Sequence, residues 1–89
     1  MAKIEIYTKS YCPFCQRAKA LLDPLDVPYT EYEVLEQPEK LDEMLERSEG
    51  RRTVPQIFID DAPIGGSDDL FALRDSGQLS RLLDLRKAS

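Results

Sequence analysis

The sequence predicts one α/β domain, residues 1–89, built on a small four-stranded mixed sheet flanked by helices in the order β-α-β-α-β-β-α-α. Strands are indicated where apolar residues alternate at every second position, and helices where they recur every three or four positions. The length of 89 residues with 42% hydrophobic content is enough for one core but not for two.

The first half of the chain predicts a βαβ unit. Residues Lys3–Thr8 alternate polar and apolar side chains, which is the pattern of a strand. A helix is predicted from about Pro13, a favourable first helical residue, to near Asp23, where Pro24 ends or kinks it. The next strand is predicted over Tyr29–Val34. A strand–helix–strand connection of this kind joins parallel neighbours by a right-handed crossover.

A polar helix and a hairpin are predicted next. Pro38 opens the helix and Gly50 closes it. Residues Gln56–Asp60 form a short apolar strand, and a turn then leads into a brief strand at Pro63–Ile64. We expect these two strands to pair as a hairpin on the same sheet.

Two helices are predicted in the last quarter of the chain. Gly65 and Gly66 break the hairpin strand, and Ser67–Asp69 offers a capping residue and an acidic first turn for a helix. The final helix is predicted from about Gln78 to Leu85. Several apolar residues are expected in the core: Leu21, Leu22, Phe58, Ile59, Leu70, Phe71, Leu82 and Leu83.

Composition excludes several classes of function. The net charge is −5 and no basic cluster exceeds Arg51-Arg52, which argues against a nucleic-acid partner. Histidine is absent, so Cys-His catalysis and Cys/His zinc sites are excluded. No stretch approaches the roughly 20 apolar residues of a membrane span. The N-terminal residues lack the apolar segment of a signal peptide, so we expect a cytoplasmic protein without a membrane partner.

The two cysteines of the chain, Cys12 and Cys15, form a C-x-x-C motif. A mononuclear metal site within one chain is disfavoured, because a structural zinc ion needs about four ligands. A structural disulfide is also disfavoured, because so short a loop gains little stability and a reducing cytoplasm would open the bond. A redox-active dithiol is the preferred interpretation, since C-x-x-C beside a βαβ pattern is typical of thioredoxin-like redox motifs.

The predicted position of the motif gives the two thiols different roles. Cys12 lies at a helix N-terminus, where unpaired N–H groups and the helix dipole favour a thiolate. Lys9 adds a nearby positive charge. Cys15 follows one turn later on the same helix face. We therefore expect Cys12 to be exposed and to attack first, and Cys15 to be more shielded.

Two downstream segments allow both a structural and a functional interpretation. Val54-Pro55 is either a simple strand entry or a cis peptide that presents the Val54 backbone to an extended substrate. Gly66 precedes either an ordinary capped helix or an anion site at a helix N-terminus. Arg51 and Arg52 either bind a second carboxylate or lie in a solvated loop.

Taken together, these segments resemble the glutaredoxin family over nearly the whole chain. The resemblance rests on "EIYTKSYCPFC", "RRTVPQIFID" and "IGGSDDLFAL", in that order and spacing. It implies a single thioredoxin-like domain and a glutathione-dependent thiol–disulfide oxidoreductase. Glutathione would be the co-substrate, with no metal, and the Val54–Pro55 bond would be cis.

The resemblance also implies a role for each matching residue. Cys12 matches the nucleophile and Cys15 the resolving thiol, so that the two form the redox disulfide. Lys9 and Arg52 match positions that face the glycine carboxylate of glutathione, and the Val54 backbone matches the site that pairs with its cysteinyl unit. The whole implied glutathione site consists of Lys9, Phe14, Arg52, Thr53, Val54, Pro55, Gly66, Ser67, Asp68 and Asp69. Within it, residues 66–68 face the γ-glutamyl carboxylate and residue 69 the ammonium group.

The chain departs from the family pattern at three positions. Phe14 replaces the usual tyrosine, which keeps an aromatic wall but removes a hydroxyl. Ser67 stands where many bacterial relatives have a third cysteine. Pro24 is unusual within the first helix and leaves its last turn open.

The implied partners are glutathione and glutathionylated or disulfide-containing proteins, with ribonucleotide reductase as one candidate, and a monomer is expected. An alternative is a carrier of a [2Fe–2S] cluster held between two protomers by one cysteine each and two glutathiones. Pro13 argues against it, because cluster-binding relatives usually have a more flexible motif. A thioredoxin-like protein served by a reductase is a third interpretation, and the absence of tryptophan argues against that.

Overall fold

The computed structural model describes residues 3–83 and contains a four-stranded mixed sheet with helices on both faces. The sheet order is β2-β1-β3-β4. The strands are β1 Ile4–Thr8, β2 Thr30–Glu33, β3 Gln56–Ile59 and β4 Ala62–Gly65. Strand β1 runs parallel to β2 and antiparallel to β3, which in turn is antiparallel to β4. The predicted parallel pair and the hairpin are both confirmed.

Four α-helices complete the predicted element order. They are α1 Pro13–Leu22, α2 Pro38–Arg47, α3 Ser67–Ser76 and α4 Gln78–Leu82. The predicted end of the last helix at Leu85 lies outside the described residues. Within residues 3–83, no helix is long and apolar enough to cross a membrane.

The sequence did not predict how the last turn of α1 is formed, and the structure shows a change of helix type there. The α-helix ends at Leu22, and Asp23–Leu25 continues as a short 3-10 helix with Pro24 in its first turn. The Asp23 N–H still donates to the Lys19 carbonyl. Pro24 has no N–H to extend that ladder, so the chain tightens and then leaves the helix at Asp26, whose φ is +56°.

The two faces of the sheet have separate cores. Alternate β1 residues Ile4 and Ile6 face α1, α3 and α4, whereas Tyr7 faces α2. The first core also contains Ala18, Leu21, Leu22, Ile57, Ile59, Leu70, Leu79 and Leu83. The second core contains Tyr7, Val34, Met44 and Phe58.

One predicted core residue is wrong. Leu82 is 42% exposed, because Leu79 and Leu83, four residues apart, occupy the inward side of this short segment. Phe71 is only partly buried and packs at the margin of the first core.

Strand direction brings three chain segments to one edge of the sheet. The parallel strands β1 and β2 both end there, and α1 begins just after β1. Strand β3 starts at that edge, because Gln56 pairs with Tyr7 near the end of β1. Strand β4 ends there, because Gly65 pairs with Ile57, and α3 begins two residues later. The C-x-x-C motif, the Val54–Pro55 turn and the start of α3 therefore meet.

Candidate active site

Cys12 is the N-cap residue of α1. Its backbone is extended, with φ −88° and ψ 114°, and Pro13 is the first helical residue. The Cys15 N–H donates to Cys12 Sγ at 3.4 Å, and the Cys12 thiol donates to the Val54 carbonyl at 3.6 Å. Both cysteines are present as free thiols. A sulfur at this position receives one of the helix N-terminal N–H groups that have no intrahelical partner.

Cys12 is much less exposed than the sequence predicted. Cys12 is 8% exposed and Cys15 is fully buried, so the predicted order of accessibility holds although neither thiol is open. The reason is the N-cap geometry, which turns Cys12 Sγ inward toward the Cys15 amide and the Val54 carbonyl.

The chemical environment of Cys15 prevents it from acting first. Burial, together with the neighbouring Cys12, raises the pKa of its thiol to about 12, despite the lowering effects of the Lys9 backbone and the Lys19 charge. Cys15 is therefore a protonated thiol at neutral pH. Since only a thiolate is nucleophilic, Cys15 is poorly suited to start a thiol–disulfide exchange.

A groove of about 290 Å³ lies next to the C-x-x-C motif, whose Phe14 lines it. It is bounded by the aromatic ring of the C-x-x-C motif, the turn before β3 and the first turn of α3. The Val54–Pro55 bond in this turn is cis, as the family resemblance implies. The lining residues are Phe14, Arg51, Thr53, Val54, Pro55, Gly66, Ser67, Asp68 and Asp69.

The start of α3 forms one end of the groove. The Gly66 N–H donates to Asp69 Oδ2 at 2.9 Å, so the Asp69 carboxylate caps its own helix. Gly65, just before, has φ +113°, a conformation that side chains rarely adopt. Ser67 is buried against the groove, and Asp68 is exposed. The remaining N–H groups of the first turn have no intrahelical acceptor and can receive a carboxylate.

Two predicted glutathione residues do not line the groove. Lys9 is half-buried in the loop before α1, where its carbonyl accepts from the Cys12 N–H at 3.1 Å. Arg52 is exposed. Arg51 lines the groove instead, and Ser48 holds its backbone by hydrogen bonds of 3.1 Å to both N–H and carbonyl. The roles of Lys9 and Arg52 stay predictions.

Two further cations near the site were given no role by sequence reasoning. Arg17 lies over Phe71 at 5.0 Å and near Phe14 at 6.0 Å from the ring centroids. Lys19, one turn after Cys15, pairs with Glu31 at 3.0 Å. The sequence alone could have indicated that Lys19 lies near the site, because it follows Cys15 by four residues and so shares its helix face.

Metal-binding groups are not clustered in the part of the chain that the structure describes. Residues 3–83 contain no group of three or more Cys, His, Asp or Glu side chains placed to hold an ion. A cluster shared between two protomers would draw only one cysteine from each chain, so this observation does not test it.

Comparisons with known proteins agree on the family. The Glutaredoxin family model matches residues 4–64. Glutaredoxin 3 of Escherichia coli K12 is 54% identical over 83 residues, which covers 93% of this chain and 99% of that protein. Among solved structures, a glutaredoxin from Brucella melitensis has a TM-score of 0.79 at 49% identity and covers 93% of this chain and 89% of its own.

A glutathione complex is also among the similar structures. The buckwheat glutaredoxin–glutathione complex has a TM-score of 0.82 at 31% identity and covers 91% of this chain and 76% of its own. The mixed sheet with flanking helices is accordingly the thioredoxin fold. The C-x-x-C dithiol lies at the N-terminus of α1, and the similar sequences and similar structures are glutaredoxins. The chain therefore belongs to the glutaredoxin family of thiol–disulfide oxidoreductases.

Proposed function

We propose that this protein reduces glutathione mixed disulfides and protein disulfides at the expense of glutathione. The observation that carries the proposal is the position of Cys12: its sulfur caps α1 and contacts the carbonyl of Val54, a residue that lines a groove ending at the N-terminus of α3. The buckwheat relative, whose structure holds glutathione, supports glutathione as the co-substrate.

In the monothiol route, the Cys12 thiolate attacks the glutathione sulfur of a glutathionylated protein. A Cys12–glutathione disulfide forms, and the substrate thiolate leaves with the electron pair and takes up a proton. A second glutathione thiolate then attacks the glutathione sulfur of that disulfide. Oxidised glutathione is released and the Cys12 thiolate returns, so that one glutathione has reduced one mixed disulfide.

In the dithiol route, Cys12 forms a mixed disulfide with a protein substrate, and Cys15 displaces that substrate to leave a Cys12–Cys15 bond. Two glutathiones then reduce this bond. A thiolate stabilised at a helix N-terminus is also a good leaving group, so the N-cap position of Cys12 favours its later release.

The groove offers complementary groups for each part of glutathione. An extended cysteinyl unit would pair with the Val54 backbone in the manner of an added strand. Its γ-glutamyl carboxylate would meet the N–H groups at the start of α3, around Ser67 and Asp68. Its glycine carboxylate would meet Lys9 and Arg52, and the position of Arg51 in the groove adds a third cation at this end.

The physiological partners belong to the proposal as well. Glutathionylated proteins and disulfide enzymes such as ribonucleotide reductase would be the electron acceptors, and the protein would act as a cytoplasmic monomer of one domain. Pro13 at the first helical position stiffens the motif, which disfavours the alternative role as a [2Fe–2S] carrier.

The decisive experiment is glutathione-dependent reduction of hydroxyethyl disulfide, coupled to glutathione reductase and NADPH. Wild type, Cys12→Ser and Cys15→Ser are compared. We expect wild type to be active, Cys12→Ser to be inactive and Cys15→Ser to keep the monothiol route. A folded wild type without activity would contradict the proposal, and a visible chromophore after anaerobic reconstitution with iron, sulfide and glutathione would favour the cluster carrier.

A further inference from the structure

Lys19 lies on α1 four residues after Cys15 and is fixed by an ion pair to Glu31 of β2. We propose that Lys19 is a positioning residue for the resolving step, in which its charge stabilises the Cys15 thiolate that closes the Cys12–Cys15 disulfide. This inference rests on the dithiol route proposed above.

The ammonium group of Lys19 is held in one place. Its Nζ lies 3.0 Å from Glu31 Oε2, and the Thr8 hydroxyl donates to the same oxygen at 2.7 Å. Thr8 is 1% exposed and shares its strand face with Ile6, which packs against α1. The carboxylate of Glu31 is therefore anchored from β1, and it anchors Lys19 in turn.

The helix geometry points the Lys19 side chain back toward Cys15. Residues four apart share a helix face, and long helical side chains lean toward the N-terminus of the helix. The Lys19 side chain is 21% exposed, so most of its stem is covered by protein. Its charge therefore acts across a partly desolvated region, where the field is less screened than in water.

Cys15 needs such support because its surroundings oppose ionisation. The sulfur is fully buried, and burial is the largest cause of the pKa of about 12. The groups that act on it are Cys12, whose hydrogen bond and charge raise the pKa, and the Lys9 backbone and Lys19 charge, which lower it. Glu31 on β2 acts in the opposite sense to Lys19, and the pKa of Glu31 itself is lowered because the Thr8 and Lys19 contacts outweigh burial.

The state of Cys12 changes this balance during the reaction. In the mixed disulfide, Cys12 Sγ is bonded to the substrate sulfur and carries no charge, so its repulsion of a Cys15 thiolate disappears. Cys15 then loses its proton to solvent, and its thiolate attacks Cys12 Sγ. The Cys12–Cys15 bond forms, the Cys12–substrate bond breaks, and the substrate thiolate leaves with the electron pair and takes up a proton. Lys19 remains as the charge that favours the attacking thiolate.

The chain supplies a matched control for this lysine. Lys40 on α2 pairs with Glu43 at 2.8 Å, and its side chain is 26% exposed against 21% for Lys19. Lys40 lies over the Tyr32 ring on the opposite side of the sheet. Lys40→Met removes an ion pair of the same kind on the other side of the sheet. It therefore shows whether a slower second phase comes from loss of the Lys19 charge near Cys15 or from a general loss of charge or stability.

The resolving step is measured by stopped-flow mixing of the reduced protein with dithiobis(nitrobenzoate). The first thionitrobenzoate is released when Cys12 attacks, and the second when Cys15 closes the disulfide. The second phase is first-order and needs no glutathione. Failure of the proposed glutathione activity and failure of this inference are therefore distinguishable.

We expect Lys19→Met to slow the second phase about two- to threefold at neutral pH, because the Lys19 charge is the weakest of the influences on the pKa of Cys15, and to move its pH profile to higher pH. Lys19→Arg should restore the rate, and Lys40→Met should behave as wild type. Glu31→Gln should speed the phase, because the amide oxygen can still accept from the Lys19 ammonium and hold it while the opposing charge is removed.

Three results would overturn the inference. The first is a second phase of unchanged rate and pH profile in Lys19→Met. The second is an equal slowing in Lys19→Met and Lys40→Met. The third is equal slowing in Lys19→Met and Glu31→Gln without a shift of the pH profile, which would mean that the ion pair only holds α1 against β2.

Discussion

Each face of the sheet has a cation–carboxylate pair that joins a helix to a strand, and the two pairs have the same 3.0 Å separation. On the side covered by α2, Arg47 Nη2 meets Glu5 Oε1, and on the side covered by α1, Lys19 Nζ meets Glu31 Oε2. The carboxylates differ in burial, with 5% of the Glu5 side chain exposed and 34% of the Glu31 side chain. A pair is costly to break only where removal of one partner leaves a charge without water.

The polar groups on the α2 side stabilise the fold. Arg47 also donates to the Tyr7 hydroxyl at 2.7 Å and stacks 4.1 Å from the Phe58 ring centroid. The Tyr32 hydroxyl donates to the second oxygen of Glu5 at 3.1 Å. The aromatic partners in this network belong to the core on the α2 side of the sheet. The pair on the α1 side is more exposed, but its lysine lies one helical turn after Cys15.

The largest expected effect comes from Arg47→Met. It leaves the buried Glu5 carboxylate with only the exposed Lys3, 3.8 Å away, as a cationic partner, so the free energy of unfolding should fall by about 3 kcal/mol. Lys19→Met, on the other face, should lower it by only about 0–1 kcal/mol, since Glu31 keeps access to water. Urea unfolding of both variants measures the difference. Equal losses would remove the contrast between the two faces.

An intermediate effect on stability is expected at Gly65, which lies just before α3 at the end of the groove. Gly65→Ala forces a side chain into the left-handed region and its Cβ against the Asp69 carboxylate, so it should cost about 1–3 kcal/mol of stability and weaken glutathione binding. Gly66→Ala is the control, because its Cβ would lie at an ordinary 3.6 Å from the Pro55 carbonyl. Urea unfolding compares the two variants, and an equal loss of stability would contradict the assignment of strain to Gly65. Calorimetric titration of Gly65→Ala beside wild type measures the affinity for glutathione.

The smallest effect concerns acid stability. Burial raises the pKa of Glu5, but its contacts with Arg47, Tyr32 and Lys3 outweigh burial and lower it below 4.5. A lowered pKa means that the stabilisation is complete above about pH 4.5 and is lost as the pH falls. Glu5→Gln should therefore flatten the fall of unfolding free energy at acid pH more than Glu31→Gln does. Denaturation curves from neutral to acid pH measure this, and an equal flattening would mean that burial does not separate the two carboxylates.

The order of elements was predictable because its signals are local. Pro13 and Pro38 do stand at the starts of α1 and α2, and the alternation of residues 3–8 does mark β1. Boundaries moved by one or two residues, as for β2, observed at Thr30–Glu33, since strand ends depend on pairing partners. The burial of Glu5 within this alternation was not predicted, because its partner Arg47 is 42 residues away.

The sequence by itself determined which reactive groups the chain has. Two cysteines stand three residues apart, the proline that begins α1 lies between them, and no histidine is present to offer another mechanism. Tertiary structure alone decided that Arg51 lines the groove beside the turn before β3 and that Cys12 is nearly covered. It also decided that Glu31 reaches Lys19. The physical reason is that residue type and spacing act along the chain, whereas these contacts depend on how β2 and β3 align with β1.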